Sequence, residues 1–425
     1  MSIMNAMWSG VSGLSAESQA LGVVGDNVAN SNTVGFKMSR AQFEDVLGGA
    51  VGHNNGAGVH MARAQQIFAQ GSLMNTGQPT DLALSGDGFF VVKGALGGVT
   101  GNFYTRDGQT NLDKDGNLVN AEGLKLQGYA ANASGGFAPG LSDVNIPTTP
   151  LAPKPTAKFT LAANLDANAT QPALPWDAQN PGATSNFSTS TVVYDSLGNA
   201  RSVDVYFNKT AAGWDFHAIA AGGDIAGGTP GTNVEIGTGS MTFDPTGALA
   251  TVTGNTATAS FAGGAAPNQA IALDLGTPPP AGTGTNGVTQ YGGKSNVTQQ
   301  KADGYASGSL TGVQVDASGV VNGVYSNGET IPVASLAVAK FTANEGLGRA
   351  GHNLWIATRE SGEAAMGSAG GGGRASVVSG ALEQSNVDIA AQFVDMIAHQ
   401  RSFQANSKTI TTADEMLQEV VNLKR

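Results

Sequence analysis

Both ends of this 425-residue chain repeat an apolar residue every seven positions, and the stretch between them is patterned differently. At the N-terminus the row is Met7, Leu14, Leu21 and Val28, with Met4 and Val11 starting a second row. At the C-terminus it is Ile389, Met396, Phe403, Ile410 and Leu417, flanked by Phe393 and Val421. No proline interrupts Ser2–Asn30. A seven-residue apolar period predicts long amphipathic helices with coiled-coil-like spacing, because it keeps one seam facing a partner. Ser18, Gly25, Gln400, Ser407 and Asp414 fall on the companion positions and interrupt the second seam.

The middle reads as strands and turns. Asn111–Lys114 and Asn117–Asn120 flank Asp115-Gly116, a hairpin-type turn. Thr189–Tyr194 and Ala200–Phe207 flank Asp195-Ser196-Leu197-Gly198-Asn199. Val313–Val324 carries Asn322-Gly323, and Asn327-Gly328 follows. Short β segments with frequent turns predict all-β domains. Prolines place the boundaries: Pro147, Pro150, Pro153 and Pro155 cluster at one point and Pro278-Pro279-Pro280 at another. Proline cannot donate to a sheet ladder, so such clusters predict linkers. The simplest organisation is nested, with residues 151–289 inserted between 71–150 and 290–369, and Gly370-Gly371-Gly372-Gly373 as a flexible joint before the last helix.

Composition narrows the function. Only 12% of residues are charged and the net charge is −11, so nucleic acid is not the expected partner. Apolar runs are too short for a membrane span of ~20 residues. There is no cysteine, which removes disulfides, thiolate metal sites and cysteine nucleophiles. The first basic residue is Lys37, so the start lacks the charged region of a cleaved secretory signal.

Motifs for chemistry do not hold up. G-x-G-x-x-G occurs at Gly282/Gly284/Gly287 and Gly346/Gly348/Gly351, but a glycine-rich chain of this length matches that pattern about once by chance, and neither match sits between a strand and a helix. Gly293-Lys294-Ser295 lacks the upstream glycine of a phosphate loop, and Asp113-x-Asp115-Gly116 lacks the calcium-loop glycine and terminal acid. His53, His60, His217, His352 and His399 are scattered. No catalytic, metal or cofactor site is expected. The terminal rows remain the strongest signal. They serve either packing within the chain or association with other chains. Residues 1–36 carry only Glu17 and Asp26, and a weakly charged outer face rich in small residues suits contact with further protein.

These ends resemble a known family, the rod, hook and hook-associated axial proteins of the bacterial flagellum. The first block is Asn27–Lys37, with Ala29, Asn30, Thr33, Gly35, Phe36 and Lys37 as its signature. The second is Gly71-Ser72-Leu73 through Pro79 with Asp81–Val92, and the third is Thr105-Arg106-Asp107-Gly108. The last is Ser379–Asp388 with Gln400-Arg401 and Gln404-Ala405-Asn406. Within the family, Val193–Asn199, Ser240–Asp244 and the closing Asn422–Arg425 resemble hook proteins, with a distal rod or hook-associated axial protein as the alternative.

The resemblance implies an α+β chain. Residues 1–33 and 385–425 would form a coiled-coil-like inner helical domain, joined through connecting segments 34–70 and 370–384. Nested, discontinuous all-β domains would stack outward: an inner one from 71–150 and 290–369, and an outer one from 151–289. It also implies a homopolymer whose seam is the two heptad rows, forming a curved tube that passes torque to the filament in motility. The expected partners are the distal rod, hook cap and hook–filament junction proteins, with extracellular delivery through the flagellar type III export apparatus and no cleaved signal. The readings from other classes are a nucleotide-dependent enzyme, which lacks its strand–loop–helix unit, and a secreted β-rich adhesin, which needs no heptad ends.

Overall fold

The computed structural model describes residues 3–48, 55–132 and 135–422. His53, part of the connecting segment 34–70 and the last residues 423–425 therefore lie outside the described residues. The N-terminal helix runs Ile3–Ala29 and the C-terminal helix Ile389–Asn422. The C-terminal helix starts where Asp388 Oδ1 accepts the N–H groups of Ala390 and Ala391 at 2.9 and 3.2 Å, an N-cap. The N-terminal helix carries Gly10, Gly13, Gly22 and Gly25 in its interior, each costing about 1 kcal/mol relative to alanine. Packing rather than propensity must hold it, and it packs on the C-terminal helix and on the strands that follow it.

Those strands, Ser39–Gly48 and Asn55–Gln66, form an antiparallel hairpin with Ser39 opposite Gln66. The sequence predicts only a connecting segment here, because a hairpin needs a pairing that local pattern does not reveal. The hairpin leans on the N-terminal helix, where Val59 N–H donates to Ser12 Oγ at 3.2 Å.

The chain separates into two compact units. The first holds 1–148, 312–324 and 330–425, and the second 149–311 and 325–329. In the first unit the long strand Thr330–Lys340 pairs antiparallel with Lys125–Ala131 and Phe89–Leu96, and the latter pairs with Val99–Thr105. Phe89, Val91, Tyr104, Phe341 and Trp355 are buried together, with the Tyr104 and Phe341 rings edge-on at 4.7 Å. Two short pairings bring the last part of the chain onto this unit: Ser376–Ser379 beside Leu82–Ser85, and Ala381–Glu383 beside Leu73–Asn75.

The second unit has its own core, which includes Phe159, Phe207, Trp214, Phe216 and Leu273. Strand Lys158–Asp166 alternates buried and solvent-facing residues along its whole length, the period-2 pattern of a strand with one face in a core. A meander of Phe187–Tyr194, Ala200–Lys209, Trp214–Ala221, Asn233–Phe243 and Leu249–Thr253 forms an antiparallel sheet. Asp195 organises the first turn of that meander. Burial pushes its carboxyl up, but hydrogen bonds from Asn199 and Leu197 and the Arg201 charge together hold it below the ordinary carboxylate range.

The turns at Asp115-Gly116 and 195–199 join paired strands as expected. Three other placements differ. Asn322-Gly323 lies within strand Val320–Tyr325, and the reversal is made by Asp316, whose carboxylate accepts the N–H groups of Ser318 and Val320. Pro278-Pro279-Pro280 is not a boundary: Asn296–Ala302, expected within 290–369, pairs with Lys158–Asp166 in the second unit. Proline forbids ladder pairing equally in an internal loop, so it cannot by itself separate loop from linker. Gly370–Gly373 is a turn closed by Gly370 N–H to Ala375 O at 2.9 Å, not a free joint.

Candidate functional site

Glycine decides how the two terminal helices meet. A Cβ added at Gly10 would lie 2.9 Å from Ile410 Cγ1, and one at Gly13 would lie 2.6 Å from Asn406 Nδ2. The Ile410 and Asn406 side chains therefore occupy the space that a larger residue at Gly10 or Gly13 would need. The buried face of the N-terminal helix is Gly10, Gly13, Ala16, Ala20, Val24 and Asn27. Met7, Leu14, Leu21 and Val28 are half-buried beside it. On the C-terminal helix Met396, Ile410 and Leu417 are half-buried, while Ile389 and Phe403 are exposed. The companion row is not Gln400, Ser407 and Asp414, which face outward, but Gln392, His399, Asn406 and Ala413. His399 Nδ1 lies 2.6 Å from Glu17 Oε2 across the pair.

Beyond Ala29 the signature segment forms an elbow. Asn30 N–H bonds Asp26 O at 3.1 Å, and Thr33 Oγ1 donates to Asn30 Oδ1, also at 3.1 Å. Gly35 has φ +69° and its α-carbon lies against the backbone of Arg106 and Asp107, where a Cβ would be 2.6 Å from Asp107 N. Both facts require glycine there. Phe36 is buried, with the Arg349 guanidinium 5.8 Å from its ring centroid.

At the elbow three other parts of the chain converge on one carboxylate. Glu383 is fully buried. Its Oε1 accepts from Lys37 Nζ at 2.6 Å and from Gly71 N–H at 2.8 Å. Its Oε2 accepts from Arg106 at 3.1 Å, and its main-chain oxygen accepts Gly35 N–H at 2.7 Å. Burial pushes the Lys37 amine down and Arg106 adds to this, with the Glu383 charge opposing both. Lys37 also donates to Ala69 O, and Arg106 to Gly86 O. Two asparagines reinforce the junction. Asn27 exchanges hydrogen bonds with the Ser39 backbone and donates to Gln392 Oε1 at 2.8 Å. Asn386 accepts Met38 N–H and donates to Ile67 O and Ala69 O. Both helices are thereby tied to the first unit through paired polar groups that are costly to separate.

Beside the elbow lies a cavity of about 410 Å³ lined by Thr33, Lys37, Asp107, Glu122, Arg349 and His352, among others. Burial raises the Asp107 carboxyl to about 6, and its Oδ1 accepts Gln109 N–H at 2.9 Å. The polar cluster at the elbow anchors two helices on a β body.

Family descriptions match four stretches: flagella basal body rod protein over 7–37, flagellar hook protein FlgE/F/G D1 domain over 83–166, flagellar basal body protein FlaE D2 domain over 164–305, and flagellar basal body rod FlgEFG protein C-terminal over 378–423. The flagellar hook protein FlgE of Escherichia coli (strain K12) is 35% identical over 421 residues, 97% of this chain and 98% of that one. That of Treponema pallidum (strain Nichols) is 34% identical over 475 residues, covering both chains fully. This chain belongs to the flagellar hook protein family. The hook protein FlgE2 of Helicobacter pylori, 15% identical, shares the fold with a TM-score of 0.51 over 72% of this chain and 98% of that one.

The hook subunit is a structural protein of the flagellum, not an enzyme, and its family implies self-polymerisation among axial flagellar partners. No helix among the described residues is long and apolar enough to cross a membrane. Lys37, Gly71, Arg106 and Glu383 fall in separate blocks of the sequence. Nothing in their spacing signals a shared site.

Proposed function

We propose that the terminal helix pair forms the inner layer of a curved hook tube and that the buried Lys37–Glu383–Arg106 cluster carries load from it into the β units. The observation that carries this reading is the pairing of a nearly chargeless helix with a polar lock at its base: only Glu17 and Asp26 lie in Ile3–Ala29, and Glu17 meets His399. A helix with so little charge gains by burial against neighbours. In this reading Met7, Leu14, Leu21, Val28, Met396, Phe403, Ile410 and Leu417 complete their burial between subunits. The β units stack outward, and the tube acts as a universal joint passing motor torque to the filament. The subunit leaves the cell through the flagellar type III apparatus without a cleaved signal. It assembles beneath a hook cap between the distal rod and the hook–filament junction proteins. Absence of cysteine suits a chain threaded unfolded through a narrow channel. Sedimentation at rising concentration and salt, followed by electron microscopy, tests this: long curved tubes are expected, and a monodisperse soluble subunit under all conditions refutes it.

A further inference from the structure

Asn-Gly steps occur at Asn55, Asn286, Asn322 and Asn327. This dipeptide is prone to modify itself. The main-chain nitrogen of the glycine attacks the preceding side-chain amide carbon, and no Cβ hinders the approach. The five-membered ring closes only where that nitrogen can leave its place in the backbone. Three of the steps are held. Gly56 stands opposite Leu47, and Gly323 opposite Ile331, in antiparallel ladders. Gly328 N–H donates to Tyr325 O at 2.9 Å. The step at Asn286 is different. It lies in the second unit, in the loop that follows Pro278–Pro280, and Gly287 N–H has no hydrogen-bond partner among the described residues. Asn286 is exposed to water. Its Oδ1 accepts Thr277 N–H at 2.9 Å, and its Nδ2 donates to Thr277 Oγ1 at 3.3 Å. A fixed N–H on the carbonyl oxygen is the donor that a developing oxyanion needs.

We propose that Asn286-Gly287 is a self-modifying site, at which the Gly287 nitrogen attacks Asn286 Cγ and solvent water completes a deamidation. The N–Cγ bond forms while Thr277 N–H holds the charge that develops on Oδ1. The Cγ–Nδ2 bond then breaks, and Nδ2 leaves as ammonia with the proton that the Gly287 nitrogen gives up through solvent. Water opens the cyclic imide at either carbonyl, which yields aspartate or a β-linked isoaspartate. The reaction needs no oxidant, reductant or cofactor. The fold also keeps the residue that permits it, since a Cβ at Gly287 would lie 2.2 Å from Leu275 O. The consequence falls on the second unit. Leu275 and Val288 flank the loop and belong to that unit's core, and Val288 N–H donates to Leu275 O at 2.8 Å. A β-linkage lengthens the main chain by a methylene between them, and either product replaces an amide with a charge. Ageing of a subunit therefore loosens this unit. The site does not depend on the tube reading.

The test ages the full chain in mildly alkaline buffer, once folded and once in denaturant. Peptide mass spectrometry reads the amide-to-acid conversion of each Asn-Gly step, and labelling by isoaspartyl methyltransferase counts the β-linked product. In the folded chain Asn286 should convert at least tenfold faster than Asn55, Asn322 and Asn327. In denaturant the rates should converge, because only the sequence is left to set them. Equal rates in the folded chain, or a faster step elsewhere, overturn the assignment. Asn286 should also convert at least as fast folded as unfolded, and slower conversion in the folded chain removes Thr277 N–H as the activating donor. Asn286→Ser blocks the reaction and serves as the second arm. The melting midpoint of the second unit should fall in the aged parent and hold in aged Asn286→Ser. No fall in the parent, or an equal fall in both, overturns the link between the reaction and the stability of this unit.

Discussion

The helix pair and the β body of the first unit solve the same problem, holding distant parts of one chain together, by opposite means. The helices meet through the smallest residues available, Gly10, Gly13, Ala16 and Ala20, and leave much of their apolar surface outside. The β body meets through aromatic rings and a buried ionic cluster. The difference teaches where each is meant to be completed. The β body is finished within the chain. In the proposed tube the helix pair is finished by its neighbours: fixing a residue's backbone costs about 1–2 kcal/mol, and alanine or glycine contacts return little of that by burial.

The sharpest way to break the comparison is to charge the half-buried row. Leu14→Asp and Leu417→Asp should abolish polymerisation, since an unpaired carboxylate in a subunit contact costs several kcal/mol. The unassembled subunit should melt as the parent does, with fast amide exchange over 3–29 and 389–422. A clearly lowered melting midpoint together with normal assembly would show that the helices are a private core.

Next comes the ionic cluster. Glu383→Gln leaves Lys37 and Arg106 buried without their anion, and is expected to cost about 3–5 kcal/mol in the first unit. Denaturant unfolding of the monomer measures this, and the second unit, with its own core, should unfold unchanged.

Asp107 gives a pH-dependent effect of the opposite sign. Its folded pKa, about 6, lies above the ordinary 3.8, so the folded state binds the proton more tightly. The carboxyl therefore costs nothing below about pH 4, and stability falls as pH rises from there through 6. Asp107→Asn keeps an acceptor for Gln109 N–H and removes the charge. It should stabilise the monomer by on the order of 2–3 kcal/mol at pH 8 and by nothing at pH 4, as thermal melts at the two pH values would report. Equal gains at both would mean that burial of the charge is not the cause.

The smallest expected effect compares glycines. Gly22 and Gly25 have open space where a Cβ would go, unlike Gly10 and Gly13. Gly22→Ala should favour the helix by about 0.5–1 kcal/mol and lower the critical concentration up to about fivefold. Gly13→Ala should raise it. A rise with Gly22→Ala would reveal a close neighbour on that face.

The sequence by itself determined the elements. The seven-residue rows, free of proline, specify helices at both ends, because a periodic apolar face has one regular solution. The turn chemistry at Asp115-Gly116 and Asp195–Asn199 specifies reversals between strands for equally local reasons. The first proline cluster coincides with the division at Thr148 and Thr149. Only the tertiary structure decided which side of each helix faces the other. The heptad rows mark apolar residues, whereas close approach selects the small ones one position away. It also decided that Pro278–Pro280 is an internal loop, since proline reports a missing donor and not a boundary. Above all it decided that Lys37, Gly71, Arg106 and Glu383 share a site. An ion pair between residues hundreds of positions apart depends on the path of the chain through space, and no periodicity or spacing along the sequence encodes that path.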